Sequence, residues 1–343
     1  MTVQGKPISA ADGPGVPLRA ARKVLVCIDY EGQWGMPFAA SYDLTASTHR
    51  LLESLERHGA HATFFAVGAL ALERPELIKD ISSAGHEIAV HGWRHEHLDR
   101  LTGPELAVFG QGLAEAETAI ESVTGRRPGG FRAPYLLGPI FFDSAVYDLL
   151  ADRGYRWTSN RELRHVIELL RPNRLKTDRP WRLAQSRSST FTGIAAQLFT
   201  LALNASVWRN DRLGGSTRSA IRWLRSGCPP FYRGSLLEIP LYSPMDCDLL
   251  GLPEPSEPTA ESLLDFARFS LLSTLSQSRP FTMLTFHDWI IAGGNRLSLF
   301  DQLLSSLHEL GVQAVTVEEC WPELTASAAL PHDSFQLHER STA

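Results

Sequence analysis

Short apolar runs alternate with amphipathic segments from residue 24 onward. Compact runs of β-branched, aromatic and other apolar residues predict strands at 24–30, 62–67, 87–90, 155–159, 281–286 and 312–317, with a short strand and a rigid turn within 129–135. Apolar residues at helical spacing predict helices at 44–58, 75–83, 103–124, 142–153, 261–277 and 297–310. Strands that alternate with helices in this way predict βαβ units around a parallel sheet or barrel.

Acidic and imidazole side chains stand at the ends of these predicted strands. Asp29 and Glu31 end the first strand, His91 follows the third, and His287 follows 281–286. In parallel α/β folds, the site lies at the carboxyl ends of the strands. The strand ends are therefore the predicted location of the site.

His91 and His95 are the first candidate metal ligands. They lie four positions apart, so one helical turn or a tight loop would direct both imidazoles to one point. Two imidazoles with a carboxylate and an open water position form a catalytic metal site. The alternative is that they are two surface histidines on a polar turn, since twelve histidines in 343 residues produce such spacings by chance.

Five segments in this order resemble the polysaccharide deacetylase superfamily, also called the NodB-homology or carbohydrate esterase 4 family. They are CIDYEG at 27–32, ATFFAVG at 62–68, GHEIAVHGWRHEHL at 85–98, FRAPY at 131–135 and LTFHDW at 284–289. The D-x-E and HGWRHE motifs are closer to the cytoplasmic branch, which includes imide and amide hydrolases. The resemblance implies an α/β fold, a deformed (β/α) barrel, here with a basic insertion.

The resemblance also implies a mononuclear metal centre. Glu31, His91 and His95 correspond to the ligands, and Asp29 corresponds to the catalytic base. The two acids could exchange roles, because residues i and i+2 of an extended strand share a face. The alternative without a catalytic role is that Asp29 and Glu31 are solvated acids on a loop. A carboxylate with two imidazoles accepts Zn²⁺, the expected ion, and also Co²⁺, Ni²⁺ or Fe²⁺.

Three further residues receive catalytic roles from the resemblance. Arg132 would pair with Asp29, the backbone N–H of Tyr135 would stabilise the oxyanion, and His287 would be the general acid. Arg132 could instead form a structural salt bridge at the surface, and His287 could be a structural histidine. The acid that orients His287 is not recognisable from its usual motif, which leaves Asp246, Asp248 and Asp288 open.

Four residues are candidate substrate contacts near these motifs. They are Trp34, Trp93, Asp246 and Trp289.

The domain organisation follows from composition. Residues 1–21, rich in Gly, Pro, Ser and Ala, predict a flexible arm, 22–325 a single domain and 326–343 a tail. Four scattered cysteines without a C-x-x-C pair indicate reduced thiols and therefore a cytoplasmic location. No apolar run reaches the length of a membrane span, and no secretory signal is recognisable at the start.

An arginine-rich insertion occupies about 160–235. Between residues 161 and 233, thirteen arginines and one lysine accompany four acids, a local balance of +10 in a chain of net charge −5. This segment is either a lid that recruits a phosphate-bearing substrate or a basic surface that docks on the acidic remainder or a partner. The apolar stretch 191–208 suits a buried or interfacial helix, including peripheral membrane contact.

The predicted function is a metal-dependent deacylase that removes an acyl group from an N-acylated amine, an amino sugar or its anionic conjugate. The alternatives are a linear-amide, formamide or cyclic-imide hydrolase and a non-catalytic ligand-binding homologue. The net charge of −5 gives no attraction to nucleic acid polymers. Oligomeric state stays open.

Overall fold

The computed structural model describes residues 23–35, 43–98, 101, 103–136, 145–160, 229–241, 245–246, 281–292, 296–309 and 311–328. The strands in these ranges are β1 Lys23–Tyr30, β2 Thr63–Ala66, β3 Glu87–Val90, β4 Gly130–Phe131, β5 Trp157–Thr158, β6 Phe231–Arg233, β7 Leu236–Glu238, β8 Phe281–His287 and β9 Gln313–Val315. The helices are α1 Leu44–Arg57, α2 Gly68–Glu73, α3 Pro75–Ser83, α4 Pro104–Thr124, α5 Ala145–Asp152, α6 Asp288–Ile291, α7 Arg296–Glu309 and α8 Trp321–Ser327.

The strands form one curled sheet in the order β6-β7-β5-β4-β3-β2-β1-β8, and β9 pairs with the first half of β1. All of the strand pairs in these ranges are parallel except the hairpin of β6 and β7. The predicted α/β fold, a deformed barrel, is confirmed.

Side chains of β1 alternate between two apolar layers. Val24, Val26 and Ile28 pack in the layer that contains the helices, whereas Leu25 and Cys27 pack in the barrel interior. Because side chains alternate along a strand, Asp29 continues the interior row. The same alternation on β8 leads from Met283 in the interior to His287, which lies opposite Asp29 in the register. The strand pattern therefore places an acid and an imidazole next to each other.

Local signals explain where helices begin and end. The side chain of Asp43 accepts a hydrogen bond from the backbone N–H of Ala46 and so caps α1. Helix α4 begins with Pro104 and ends at Gly125, whose φ of +68° suits glycine. The predicted segments 75–83 and 87–90 coincide with α3 and β3.

Some elements were not predicted from the sequence. They are α2, the β6–β7 hairpin, α6 and α8. The predicted arm 1–21, the helix 261–277, the stretch 191–208 and nearly all of the basic insertion lie outside the described residues. Cys27 and Cys320 are buried free thiols. Within the described part of the chain, no helix combines the length and apolar content that a membrane crossing requires.

Candidate metal centre

The carboxyl ends of β1, β3 and β8 bring the predicted chemical groups together. Glu31, His91 and His95 form one group of converging donor atoms, and Asp29, Glu31 and His287 form another. Within each group, the donor atoms lie within 4.8 Å of one another. Glu31 is shared by both groups and therefore lies at the centre of the site.

Glu31 faces both histidines with a single oxygen. Its Oε1 lies 3.1 Å from Nε2 of His91 and 2.9 Å from Nε2 of His95, and the carboxyl is only 3% exposed. Burial raises the pKa of this carboxyl, but the neighbouring His287, His91 and His95 outweigh it and hold the pKa well below its usual range. An ionised carboxylate thus faces two imidazoles in a buried setting.

The two histidines lie on a loop after β3. Of the two arrangements considered from the sequence, the structure therefore shows the tight loop and not the helical turn. Nδ1 of His91 lies 3.0 Å from the backbone carbonyl of Arg132. A ring that donates from Nδ1 to this carbonyl has its Nε2 available as a metal ligand. His95 has a φ of +60°, and Gly92 has +73°, so the loop turns tightly between the two ligands.

These donors fit a divalent cation. One carboxylate oxygen and two imidazole nitrogens converge, and His91 is oriented by a backbone carbonyl, as metal-bound histidines commonly are. Zinc, cobalt, nickel and iron accept this donor set. Glu31, His91 and His95 are therefore the residues that would hold the ion.

Asp29 is paired with a fully buried arginine. Nη1 of Arg132 donates to Oδ1 of Asp29 at 2.6 Å, and the two side chains are 0% and 2% exposed. The guanidinium also donates to Ser159 and lies 3.9 Å above the ring of Phe65. This enclosure holds Asp29 in one orientation next to the three candidate ligands.

Hydrogen bonds from residues that the sequence did not single out stabilise the turn that carries Arg132. Oδ1 of Asn160 accepts the backbone N–H of Ala133 at 2.7 Å, and the backbone N–H of Asn160 donates to buried Glu238 at 2.8 Å. Tyr147 and Thr158 also donate to Glu238. No local motif links these residues, because they come from separate elements.

His287 is held by Asp246. The ring Nδ1 lies 2.6 Å from Oδ1 of Asp246, and the backbone N–H of His287 donates to Oδ2 at 2.7 Å. Nε2 lies 4.0 Å from both Asp29 and Glu31. Burial lowers the pKa of His287, but the carboxylates of Asp246, Glu31 and Asp29 raise it to about 10.

Two of the acids left open from the sequence are now distinguished. Asp246 is 0% exposed and bonded to His287, so it positions that ring, and its role as a substrate contact stays a prediction. Asp288 accepts the backbone N–H groups of Glu31 and Gly32, so it anchors the loop after β1. Asp248 lies outside the described residues.

The predicted tryptophans occupy different places. Trp34 and Trp93 are partly buried and pack against the helix-side core, where Trp93 lies against Gly112. Trp289 is partly buried beside His287, and its Nε1 donates to Oε2 of Glu31 at 2.7 Å. Trp289 therefore contacts a candidate ligand, which the sequence did not predict.

Tyr135 forms an exposed aromatic edge of the site. Its side chain is 60% exposed, its ring stacks on His97 at 3.8 Å, and it meets His95 edge-on at 4.6 Å. Its φ of +58° is a left-handed conformation that non-glycine residues rarely adopt. Such strain is common in functional loops, and this one carries the predicted oxyanion donor.

The stability of chelator-treated protein is expected to fall with rising pH because of His287. Its folded-state pKa of about 10 exceeds the ordinary value of 6.5, so the stabilisation is fully present below pH 6.5 and is lost as pH rises through 10. Asp246→Asn removes a carboxylate that raises this pKa, so we expect a shallower decline in the free energy of unfolding between pH 6.5 and 10. Urea titrations at several pH values measure it.

Asp80→Asn is the matched control for this prediction. Asp80 also contacts an imidazole, that of His49, but both side chains are about half exposed, so solvent weakens the interaction. Its pH profile should follow that of the parent protein. Parallel profiles for Asp246→Asn and the parent would contradict the assigned role of Asp246.

Part of the chain is similar in sequence to known deacetylases. Residues 27–158 match the sequence model of the polysaccharide deacetylase family. Chitin deacetylase 1 of Cryptococcus neoformans is 33% identical over 141 residues, which are 40% of this chain and 27% of the relative. The peptidoglycan-N-acetylmuramic acid deacetylase PdaC of Bacillus subtilis is 33% identical over 110 residues, 30% of this chain and 23% of the relative. The chain thus spans about a quarter of these relatives' length.

Solved structures share the fold along most of the chain. A structure from Mycobacterium smegmatis described as a polysaccharide deacetylase has a TM-score of 0.58 and 18% identity and covers 98% of this chain and 99% of its own. PuuE allantoinase has a TM-score of 0.57 and 13% identity, with coverage of 95% and 99%. At these identities the likeness concerns the fold alone.

Proposed function

We propose that this chain, which belongs to the polysaccharide deacetylase superfamily, is a metal-dependent N-deacylase whose substrate is an N-acetyl amino sugar. The observation that carries the proposal is the convergence of three groups at one set of strand ends. Glu31 faces His91 and His95, Asp29 is held by a buried arginine, and His287 lies 4.0 Å from both acids. A metal site, a base and an acid that converge in this way can together hydrolyse an amide.

Glu31, His91 and His95 are proposed as the ligands and Asp29 as the base. When bound, a divalent cation lowers the pKa of water and polarises the acyl oxygen. Asp29 accepts the proton of the water that attacks the acyl carbon. Arg132 keeps Asp29 directed at the site, since its Nη1 donates to Oδ1 of Asp29 at 2.6 Å.

His287 is proposed as the acid that protonates the departing amine. The bond between carbon and nitrogen then breaks, and the products are a carboxylic acid and a free amine. Asp246 orients the ring and favours its protonated form. The backbone N–H of Tyr135 is proposed to donate to the oxyanion. The strained conformation of Tyr135, next to His95, supports this role.

The identity of the substrate rests on the relatives. Those named above are a chitin deacetylase and a peptidoglycan deacetylase, which supports an N-acetylated sugar. The D-x-E motif supports an alternative substrate, a linear or cyclic amide, which forms a separate arm of the test. Phosphate on the substrate, the cytoplasmic location and the assignment to the cytoplasmic branch of the superfamily stay predictions from the sequence.

The proposal is tested by measuring acid and amine release from a panel of amides. The panel contains N-acetylglucosamine oligomers, nucleotide-linked N-acetyl sugars, formamides and cyclic imides. We expect acetate release from an N-acetyl sugar, loss of release after chelation and recovery when zinc or cobalt is restored. Protein carrying Asp29→Asn serves as the control for contaminating activity.

Three outcomes would contradict the proposal. Turnover of imides or formamides alone would favour the amide hydrolase. Activity that survives complete chelation would exclude the metal mechanism. Metal-loaded protein that hydrolyses no amide in the panel would favour a ligand-binding homologue.

A further inference from the structure

We propose that Trp289 is a positioning residue that makes Glu31 a single-oxygen metal ligand. This inference rests on the proposed function in one respect, that Glu31, His91 and His95 are the ligands. The sequence predicted Trp289 as a substrate contact, whereas the structure places its indole N–H on the candidate ligand itself.

The two oxygens of Glu31 have different partners. Oε1 faces Nε2 of His91 and Nε2 of His95 at 3.1 and 2.9 Å. Oε2 accepts the indole N–H of Trp289 at 2.7 Å. A hydrogen bond to an ionised carboxylate is stronger than one between neutral groups, and it occupies a lone pair of Oε2. The carboxyl therefore presents Oε1 to the site and keeps Oε2 turned toward the indole.

The surrounding backbone leaves this carboxyl little freedom. A Cβ on Gly35 would lie 1.7 Å from Oε2 of Glu31 and 2.6 Å from Nε1 of Trp289, so the bond fits only against a glycine. Gly35 has a φ of −79°, which any residue adopts, so the need for glycine here is one of space. Oδ1 of Asp288 also accepts the backbone N–H of Glu31 at 2.9 Å.

Three consecutive residues thus act on one site in three ways. At the junction of β8 and α6, His287 lies beside the two acids, Asp288 holds the backbone of Glu31, and Trp289 holds its side chain. A carboxylate that binds through one oxygen occupies one coordination position instead of two. The remaining coordination position is then available for water or the acyl oxygen. A catalytic site must keep such a position open.

The test is metal binding by Trp289→Phe, which keeps a ring but removes the N–H. Affinities for Zn²⁺ and Co²⁺ are measured by competition with a chromophoric chelator, and the visible spectrum of the Co²⁺ form reports the ligand geometry. We expect metal affinity to fall roughly 10- to 100-fold, as it does when a partner behind a ligand is removed. We also expect the Co²⁺ spectrum to change.

Two variants complete the design. Trp321→Phe is the matched control. Trp321, the first residue of α8, lies against Arg156. Its substitution should leave metal affinity and the Co²⁺ spectrum unchanged. Gly35→Ala is an independent test that crowds Oε2 and Nε1 while both residues remain, and it should also weaken metal binding. It keeps the proposal testable if Trp289→Phe does not fold.

Parental metal affinity and an unchanged Co²⁺ spectrum in Trp289→Phe and Gly35→Ala would overturn the proposal. A variant Trp289→Phe with parental metal binding and only a raised KM would also overturn it, since Trp289 would then be a substrate contact. Failure of the proposed function looks different: the parent would bind metal, the variants would still bind it more weakly, and no amide would be hydrolysed.

Discussion

Asp29→Asn is expected to reduce kcat about 10²- to 10⁴-fold, the usual contribution of a positioned general base. Asparagine keeps an oxygen for the hydrogen bond from Arg132, so we expect the variant to fold and to bind metal like the parent. KM should change little, because Asp29 acts on the attacking water. Steady-state kinetics with the best substrate of the amide panel, together with metal analysis, measure these effects.

Folding must be separated from catalysis in this variant. Arg132 is 0% exposed, and loss of its counter-charge leaves a buried cation less well compensated, so the unfolding midpoint should fall. Asp80→Asn, at an exposed acid, controls for the substitution itself and should keep parental kcat. A kcat within tenfold of the parent, in folded and metal-loaded Asp29→Asn, would assign the base to another residue.

His91→Ala is expected to remove most of the bound metal and, with it, the activity. The substitution deletes one of three converging donors and also breaks the contact to the carbonyl of Arg132. The loss of affinity should exceed the roughly 10- to 100-fold cost of removing a residue behind a ligand. Metal content after dialysis and chelator competition measure it, and kcat/KM should fall in parallel.

His308→Ala is the matched control for His91→Ala. His308 is an exposed histidine near the end of α7, and its removal should leave metal content and kcat/KM unchanged. Metal-dependent activity that persists in His91→Ala at parental metal content would show that the ion binds elsewhere. The ligand set Glu31, His91 and His95 would then be wrong.

The sequence predicted much of the scaffold because strand and helix signals are local. Compact apolar runs located β1 and β3, and helical spacing of apolar residues located α3, each within a residue. The interior row of β1 ends in Asp29, which only the structure showed, since the sequence had placed the acid at the strand end without assigning its face.

The shortest strands and helices were not predicted from the sequence. The hairpin of β6 and β7 has strands of three residues each, and α6 has four residues, too few for either period to be visible. These elements are stable through their neighbours: Leu237 of β7 pairs with Trp157, and Asp288 of α6 binds the loop after β1. Propensity over such short stretches is overridden by tertiary contacts.

The sequence by itself determined the βαβ order, the strand ends and the residues able to bind a metal or transfer protons. Only the tertiary structure decided that Asp246 orients His287, that Asp288 anchors Glu31 and that Trp289 binds its second oxygen. Residue types and their spacing are local features of the chain, so they can be recognised from the sequence alone. The partner of a buried polar group is chosen by which distant segment satisfies its hydrogen bonds, such as Trp289, 258 positions from Glu31.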